Sequence, residues 1–196
     1  MCLRNTLSSY GIIAKAFHWL MAILIIGLLI VGLIMADMDN TPDKFKLIGL
    51  HKEFGIIALL LVVLRLGWKI LDISPLLPDN FDKFAKLGAK IVHFALYALM
   101  FAMPITGWLM SSAAGFQVSM FGLFLMPNIV AHDKEFGHDM NELHETLAWV
   151  LMGLIALHVL AALLHHFYYK DNILRRMLPN FRKKYHVENS DINIGS

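Results

Sequence analysis

The chain has 196 residues, of which 58% are hydrophobic and only 16% are charged, and its formal net charge is +2. Soluble domains carry about a quarter charged residues, so this composition places the chain in a membrane, and the small net charge gives no footing for nucleic acid. The single cysteine, Cys2, excludes an intrachain disulfide, and without a Cys-x-x-Cys-His run, a Walker loop or a dinucleotide fingerprint any cofactor is held non-covalently.

A helix needs roughly 20 mostly apolar residues to cross the hydrocarbon core, and four stretches qualify. The first runs over about 17–35, between Lys15 and Asp37. Its apolar run exceeds the h-region of a signal peptide and lacks a small-x-small cleavage pattern, so it is read as a span. The second covers about 51–71 and carries Arg65 near its end. The third starts near residue 91 and continues without charge to 131, too long for one span and broken by Gly107, Gly115, Gly122 and Pro127. It is read as a helix to about 112 followed by an outer loop over 113–143, whose segment GFQVSMFGLFLMP is apolar enough to lie against the membrane or to cap the bundle. The fourth span covers about 143–169.

Short connections favour an all-α, up-down-up-down four-helix bundle forming one domain over 1–180, with a polar tail at 181–196. Thirteen of the 17 Lys and Arg side chains fall on the side of the termini and four, Lys44, Lys46, Lys52 and Lys134, on the other. The positive-inside rule therefore puts both termini in the cytoplasm of an inner-membrane protein. Trp19 and Trp68 then mark the inner interface and Trp108 the outer one; Trp149 sits deeper.

Ten histidines are concentrated toward the spans, where ionisable groups are costly and usually functional. His144 and His158 are two heptads apart, about 21 Å along the axis and on nearly one face. Each has a partner at its own depth, His51 with His144 near the outer side and His18 with His158 near the inner side. Paired imidazoles between helices supply the two axial nitrogens of a low-spin b-type haem. A single such histidine more often satisfies a local hydrogen bond; four at matched depths carry more weight. His93 competes for either inner position. His165 and His166 lie nearer the cytoplasmic surface and suit a quinone-contacting or proton-transferring pair, or a solvated one, because imidazole titrates near neutrality. Lys15, Arg65 and Arg175 suit haem propionates, with snorkelling as their ordinary alternative. His132, His138 and His186 are read as loop or tail residues. Glu53 and Glu145 flank the outer histidines, leaving a surface metal site as a minor reading.

FHWLMA in the first span, LHKEFGI and VLRLGWK in the second and LHETLAWVLMGLIALHVLAALLHHFYYKDNILRRMLP in the fourth resemble the bacterial cytochrome b561 family over roughly residues 10–179. The resemblance implies a four-helix inner-membrane cytochrome with two b haems on His18, His51, His144 and His158. It also implies exchange with the quinone pool, with ubiquinone as acceptor, and some members oxidise superoxide. Electrons would then enter at the His51/His144 pair, from superoxide drawn by Lys44, Lys46 and Lys52 or from a periplasmic redox protein, and leave from the His18/His158 pair. Two rivals stand beside this reading: a haem-bearing anchor for a redox partner, and a non-redox, histidine-lined ion or metal transporter.

Overall fold

The computed structural model describes residues 2–76 and 83–179. Four long helices, α1 (Ile12–Asp37), α2 (Pro42–Leu71), α3 (Lys83–Ala113) and α4 (Lys134–Phe167), are each long and apolar enough to cross a membrane. A two-stranded antiparallel hairpin, β1 (Ser119–Met120) and β2 (Phe124–Leu125), lies between α3 and α4, and a short helix α5 (Ile173–Met177) follows α4. His186 and the tail at 181–196 lie outside the described residues.

Helix starts follow local capping chemistry. The Thr41 hydroxyl accepts from Lys44 N, and Pro42, which has no N–H to lose, opens α2. The Asp133 carboxylate accepts from Glu135 N and Phe136 N at 3.0 and 3.1 Å, so α4 begins there. Both helices therefore start about nine residues before the apolar spans do, because a cap can launch polar turns that stand above the hydrocarbon. The outer connection over 113–143 shrinks accordingly to 114–133, and His138 sits on α4, paired with Glu142 one turn on at 3.2 Å.

The hairpin is the one departure from an all-helical chain. Its turn closes through Leu123 N to Met120 O at 2.9 Å, with Phe121 and Gly122 both at positive φ, the two-residue geometry that suits the strand twist. Phe121 tolerates this costly conformation because its N–H donates to the Glu53 carboxylate and its ring packs edge-on against Phe54, both on α2. Val118, just before β1, is 3% exposed against the bundle, whereas Phe116, Leu123, Phe124 and Leu125 are exposed.

The close helix packings run α1 on α2, α2 on α3 and α3 on α4. The interior holds few fully enclosed side chains, among them Met21, Val62, Leu99 and Leu151. A cavity of about 510 Å³ lies among α1, α2, α3 and α4.

The end of the bundle that gathers the N-terminal residues and α5 is sewn together by polar contacts. Arg4 donates to Asp72 Oδ1 and to Leu71 O, Asn5 N donates to Asp72 Oδ2 at 2.9 Å, and Asn5 Nδ2 donates to Ile73 O. Leu76 N donates to Leu7 O, and Arg176 reaches Leu76 O from α5. The Asn5 N–H, with Ile73 N–H and Arg4 assisting, holds the Asp72 carboxyl below its ordinary range. A lowered folded-state pKa gives stabilisation that is complete above the unfolded value and is lost as pH falls through the lowered one. Hydrogen exchange of residues 2–10, corrected for the intrinsic rate, is therefore expected to accelerate on acidification, and Asp72→Ala to show the fast rate already at neutral pH.

Candidate functional site

The paired histidines enter the bundle from three helices at two levels. His51 lies nine residues from the start of α2 and His144 ten from the start of α4, so the two reach one depth from the outer end. Their ring centroids are 6.4 Å apart with planes at 76°. Near the other end, His18 of α1 and His158 of α4 stand 6.3 Å apart at 58°. His93 of α3 lies closer to His158, at 5.3 Å. The sequence-derived pairs are thus brought together, and the competitor joins the inner pair as a third ring.

Those spacings carry chemical content. A metal binds an imidazole nitrogen at about 2.0 Å, and that nitrogen stands about 1.1 Å from its ring centre, so two imidazoles trans on one metal have centroids about 6.2 Å apart. Both His51/His144 and His18/His158 match that spacing, whereas 5.3 Å between His93 and His158 is short of it. The residues present therefore fit bis-imidazole coordination at two levels.

The surroundings of the pairs differ. His51 and His144 line the 510 Å³ cavity with Met100, Met103, Pro104 and Gly107 of α3 and Val118 below the hairpin. Such a volume falls within the range of cofactor pockets, and its walls are mainly apolar. His144 Nδ1 is 3.0 Å from Thr106 Oγ1, while His51 Nδ1 is buried without a hydrogen-bond partner. At the inner pair, Arg65 Nη2 lies 3.1 Å from His18 Nδ1, and its guanidinium also approaches Met21 Sδ and the Tyr97 ring. A guanidinium only donates, so His18 Nδ1 is the acceptor there and the ring proton lies on Nε2; ligation through Nε2 would require Arg65 to release Nδ1 and the proton to move to it.

The basic residues separate by position. Lys15 Nζ donates to Leu178 O at 3.1 Å, closing the end of α5. Trp19 Nε1 does the same with Met177 O. Arg175 lines a small pocket with His166, Phe167, Lys170 and Asp171. Arg65 alone of the three expected propionate partners touches a paired histidine. At the outer level Lys44 and Lys52 line the cavity with Glu145 and Asn141, whereas Lys46 is drawn to Asp43 on the surface at 3.3 Å. Among the described residues no three His, Cys, Asp or Glu side chains form a metal cluster, so Glu53 and Glu145 do not complete one with the outer histidines.

Three contributors escaped the sequence reading. Thr106 was passed over although it is a hydroxyl inside an apolar span, the signal that marks interhelical polar contacts. Asp171 accepts from His165 Nδ1 at 2.5 Å, and its only advance sign is its place six residues after that histidine. Asn141 lies in what reads as loop.

The comparison with known proteins decides what family this arrangement belongs to. Residues 9–180 match the family model described as prokaryotic cytochrome b561. The chain belongs to the prokaryotic cytochrome b561 family. It is 36% identical to cytochrome b561 homolog 2 of Escherichia coli (strain K12) over 188 residues, 95% of this chain and all of that protein. It is 30% identical to the probable superoxide oxidase CybB of Yersinia pestis over 176 residues, 88% of this chain and 97% of that one. Cytochrome b561 homolog 1 of Escherichia coli (strain K12) is 32% identical over 129 residues, 66% and 73% of the two chains. A b561 cytochrome implies haem b, electron transfer and a multi-pass bacterial membrane protein, which accords with the four spans and the paired imidazoles.

Two glycines let helix backbone approach the outer rings, and they differ in a way that can be tested. A Cβ at Gly107 would lie 3.3 Å from His144 Cε1, tighter than an ordinary contact, whereas one at Gly32 would lie 3.6 Å from His51 Cε1. Gly107→Val is expected to displace the His144 ring and lower haem b per purified chain, with Gly32→Ala close to wild type, read from the pyridine haemochrome spectrum.

Proposed function

We propose that this cytochrome carries two b haems, one between His51 and His144 and one between His18 and His158, and moves electrons from the outer face of the inner membrane to the ubiquinone pool. The observation that carries this reading is the pair of matched ring separations, 6.4 and 6.3 Å, on two levels of one bundle. Haem iron supplies reversible one-electron chemistry at each level, which none of the twenty side chains present here offers under ordinary conditions.

The protein's share is placement and exclusion. Helices α1, α2 and α4 supply the four imidazoles from rigid spans, and the fourteen-residue step from His144 to His158 sets the two levels about 21 Å apart. A mainly apolar cavity wall that includes Val118 surrounds the outer pair. His93 is read as a neighbour of His158 and not as its partner on a metal, because the 5.3 Å between their rings is short of the spacing of the two pairs. With both termini cytoplasmic, Lys44 and Lys52 offer positive charge at the outer mouth, which suits an anionic donor such as superoxide. The name of the Yersinia relative, a probable superoxide oxidase, points the same way. A dithionite-reduced minus oxidised spectrum of the detergent-purified protein is expected to give two b haems per chain. His18→Ala, His51→Ala, His144→Ala and His158→Ala should each lose about one, and His93→Ala should keep both; loss of haem from His93→Ala equal to that from His18→Ala would remove the assignment.

At the inner end His165 and His166 serve proton delivery to the quinone. Asp171 accepts from His165 Nδ1 and is itself held by Ile173 N, so the imidazole has a fixed orientation and its charged form has a counterion. Replacing both His165 and His166 with Gln is expected to slow ubiquinone reduction at least tenfold while leaving haem content intact; an unchanged rate in stopped-flow assays would exclude the proton role.

A further inference from the structure

Helix α3 gives neither member of the outer pair, yet it supplies the one side-chain hydrogen bond to that pair's imidazoles among the described residues. Thr106 is 6% exposed inside the bundle, with Oγ1 2.9 Å from Met103 O and 3.0 Å from His144 Nδ1. A hydroxyl has one proton and a carbonyl oxygen can only accept. The Thr106 proton is therefore committed to Met103 O, and Oγ1 is left as an acceptor. His144 Nδ1 is then the donor, with Met103 O as a second acceptor beside Thr106 Oγ1, which places the ring proton on Nδ1 and leaves Nε2 as the nitrogen with the free lone pair.

We propose that Thr106 is a positioning residue that fixes His144 in the Nδ1–H tautomer and so presents Nε2 for metal ligation at the outer pair. The proposal rests on the two-haem reading above and goes beyond it by naming the residue that selects the coordinating nitrogen. Metal-bound imidazoles depend on such an outer partner for ring orientation, tautomer and basicity. The inner pair is built the other way. His18 Nδ1 accepts from Arg65, and no hydroxyl stands in the place of Thr106 there. The effect of Thr106 is therefore confined to the outer level. Its neighbour Gly107 leaves room for the ring, since a Cβ there would lie 3.3 Å from His144 Cε1 and 3.6 Å from Nδ1.

The chemistry predicts a sign. An acceptor on Nδ1–H makes the imidazole a stronger electron donor through Nε2 and favours the oxidised metal. Removing the acceptor should shift the outer haem toward its reduced form at a given ambient potential. The test is a potentiometric titration of holoprotein in detergent with haem quantified per chain, on wild type, Thr106→Val and Thr106→Ser. The outer midpoint is identified as the one missing in His51→Ala. Thr106→Val, nearly isosteric but without the oxygen, is expected to raise that midpoint so that the reduced to oxidised ratio changes several-fold. It should also release haem from that level about 10 to 100 times more readily, with the inner midpoint unmoved. Thr106→Ser should restore wild-type values. If Thr106→Val were to lose the outer haem altogether while Thr106→Ser kept it, the hydroxyl would again be the cause. Two haems with unmoved midpoints in Thr106→Val, or Thr106→Ser behaving like Thr106→Val, would overturn the proposal and leave the two-haem reading standing. A wild type without haem would overturn both.

Discussion

Everything in this molecule follows from the cost of leaving a polar group unsatisfied in hydrocarbon. Backbone amides meet it by forming four continuous helices, the only open-chain solution available at that depth. Two of the paired imidazoles are answered across the bundle, His144 by Thr106 of α3 and His18 by Arg65 of α2, which turns those faces of the helices inward. The ring pairs stand there at 6.3 and 6.4 Å, and the helix packing α1 on α2, α2 on α3 and α3 on α4 is arranged around them.

The same cost explains how the ends are made. At the inner end the chain collects the polar groups that the spans exclude: the N-terminal residues on Asp72, Lys15 and Trp19 on the last carbonyls of α5, and His165 on Asp171. At the outer end helices α2 and α4 run past the apolar zone on the strength of the Thr41 and Asp133 caps, and an uncharged hairpin folds back over Glu53 and Phe54 beside His51. One end is closed by hydrogen bonds and cations, the other by apolar side chains on a β-turn. That difference leaves Lys44 and Lys52 lining the cavity at the outer mouth, where few competing cations surround them.

The spans and the histidine pairs were legible because they rest on strong, long-range signals: length of apolar run, and depth counted at a fixed rise per residue. The family resemblance, carried by FHWLMA and the fourth-span pattern, named the same four histidines. Apolarity alone puts the starts of α2 and α4 nine residues late, because Thr41-Pro42 and Asp133 set them by capping. The hairpin was not legible at all. Its strands are two residues long, too short for alternation to register, and Phe121 sits at a positive φ that no propensity would assign to it. Thr106 was hidden by its ordinary habit: a threonine in a helix bonds its own backbone, as this one does to Met103 O, and only the helix packing shows that the same oxygen also meets His144.

Helix α3 therefore has a role different from that of its neighbours. It contributes to neither of the pairs spaced for a shared metal, yet it touches the surroundings of both. Near the outer pair Pro104 breaks one rung of its backbone ladder, since it has no N–H for Met100 O, and Met100, Met103, Pro104 and Gly107 form the cavity wall. Near the inner pair Tyr97 of α3 takes two cations of α2 on its ring, Arg65 at 5.5 Å and Lys69 at 4.6 Å, which holds the guanidinium beside His18. His93 adds a third imidazole next to His158. Three helices place the paired nitrogens, and the fourth determines what stands next to them: a hydroxyl acceptor at one level and a cation at the other. Four histidines alike in sequence are thereby given two unlike electrostatic settings within one bundle.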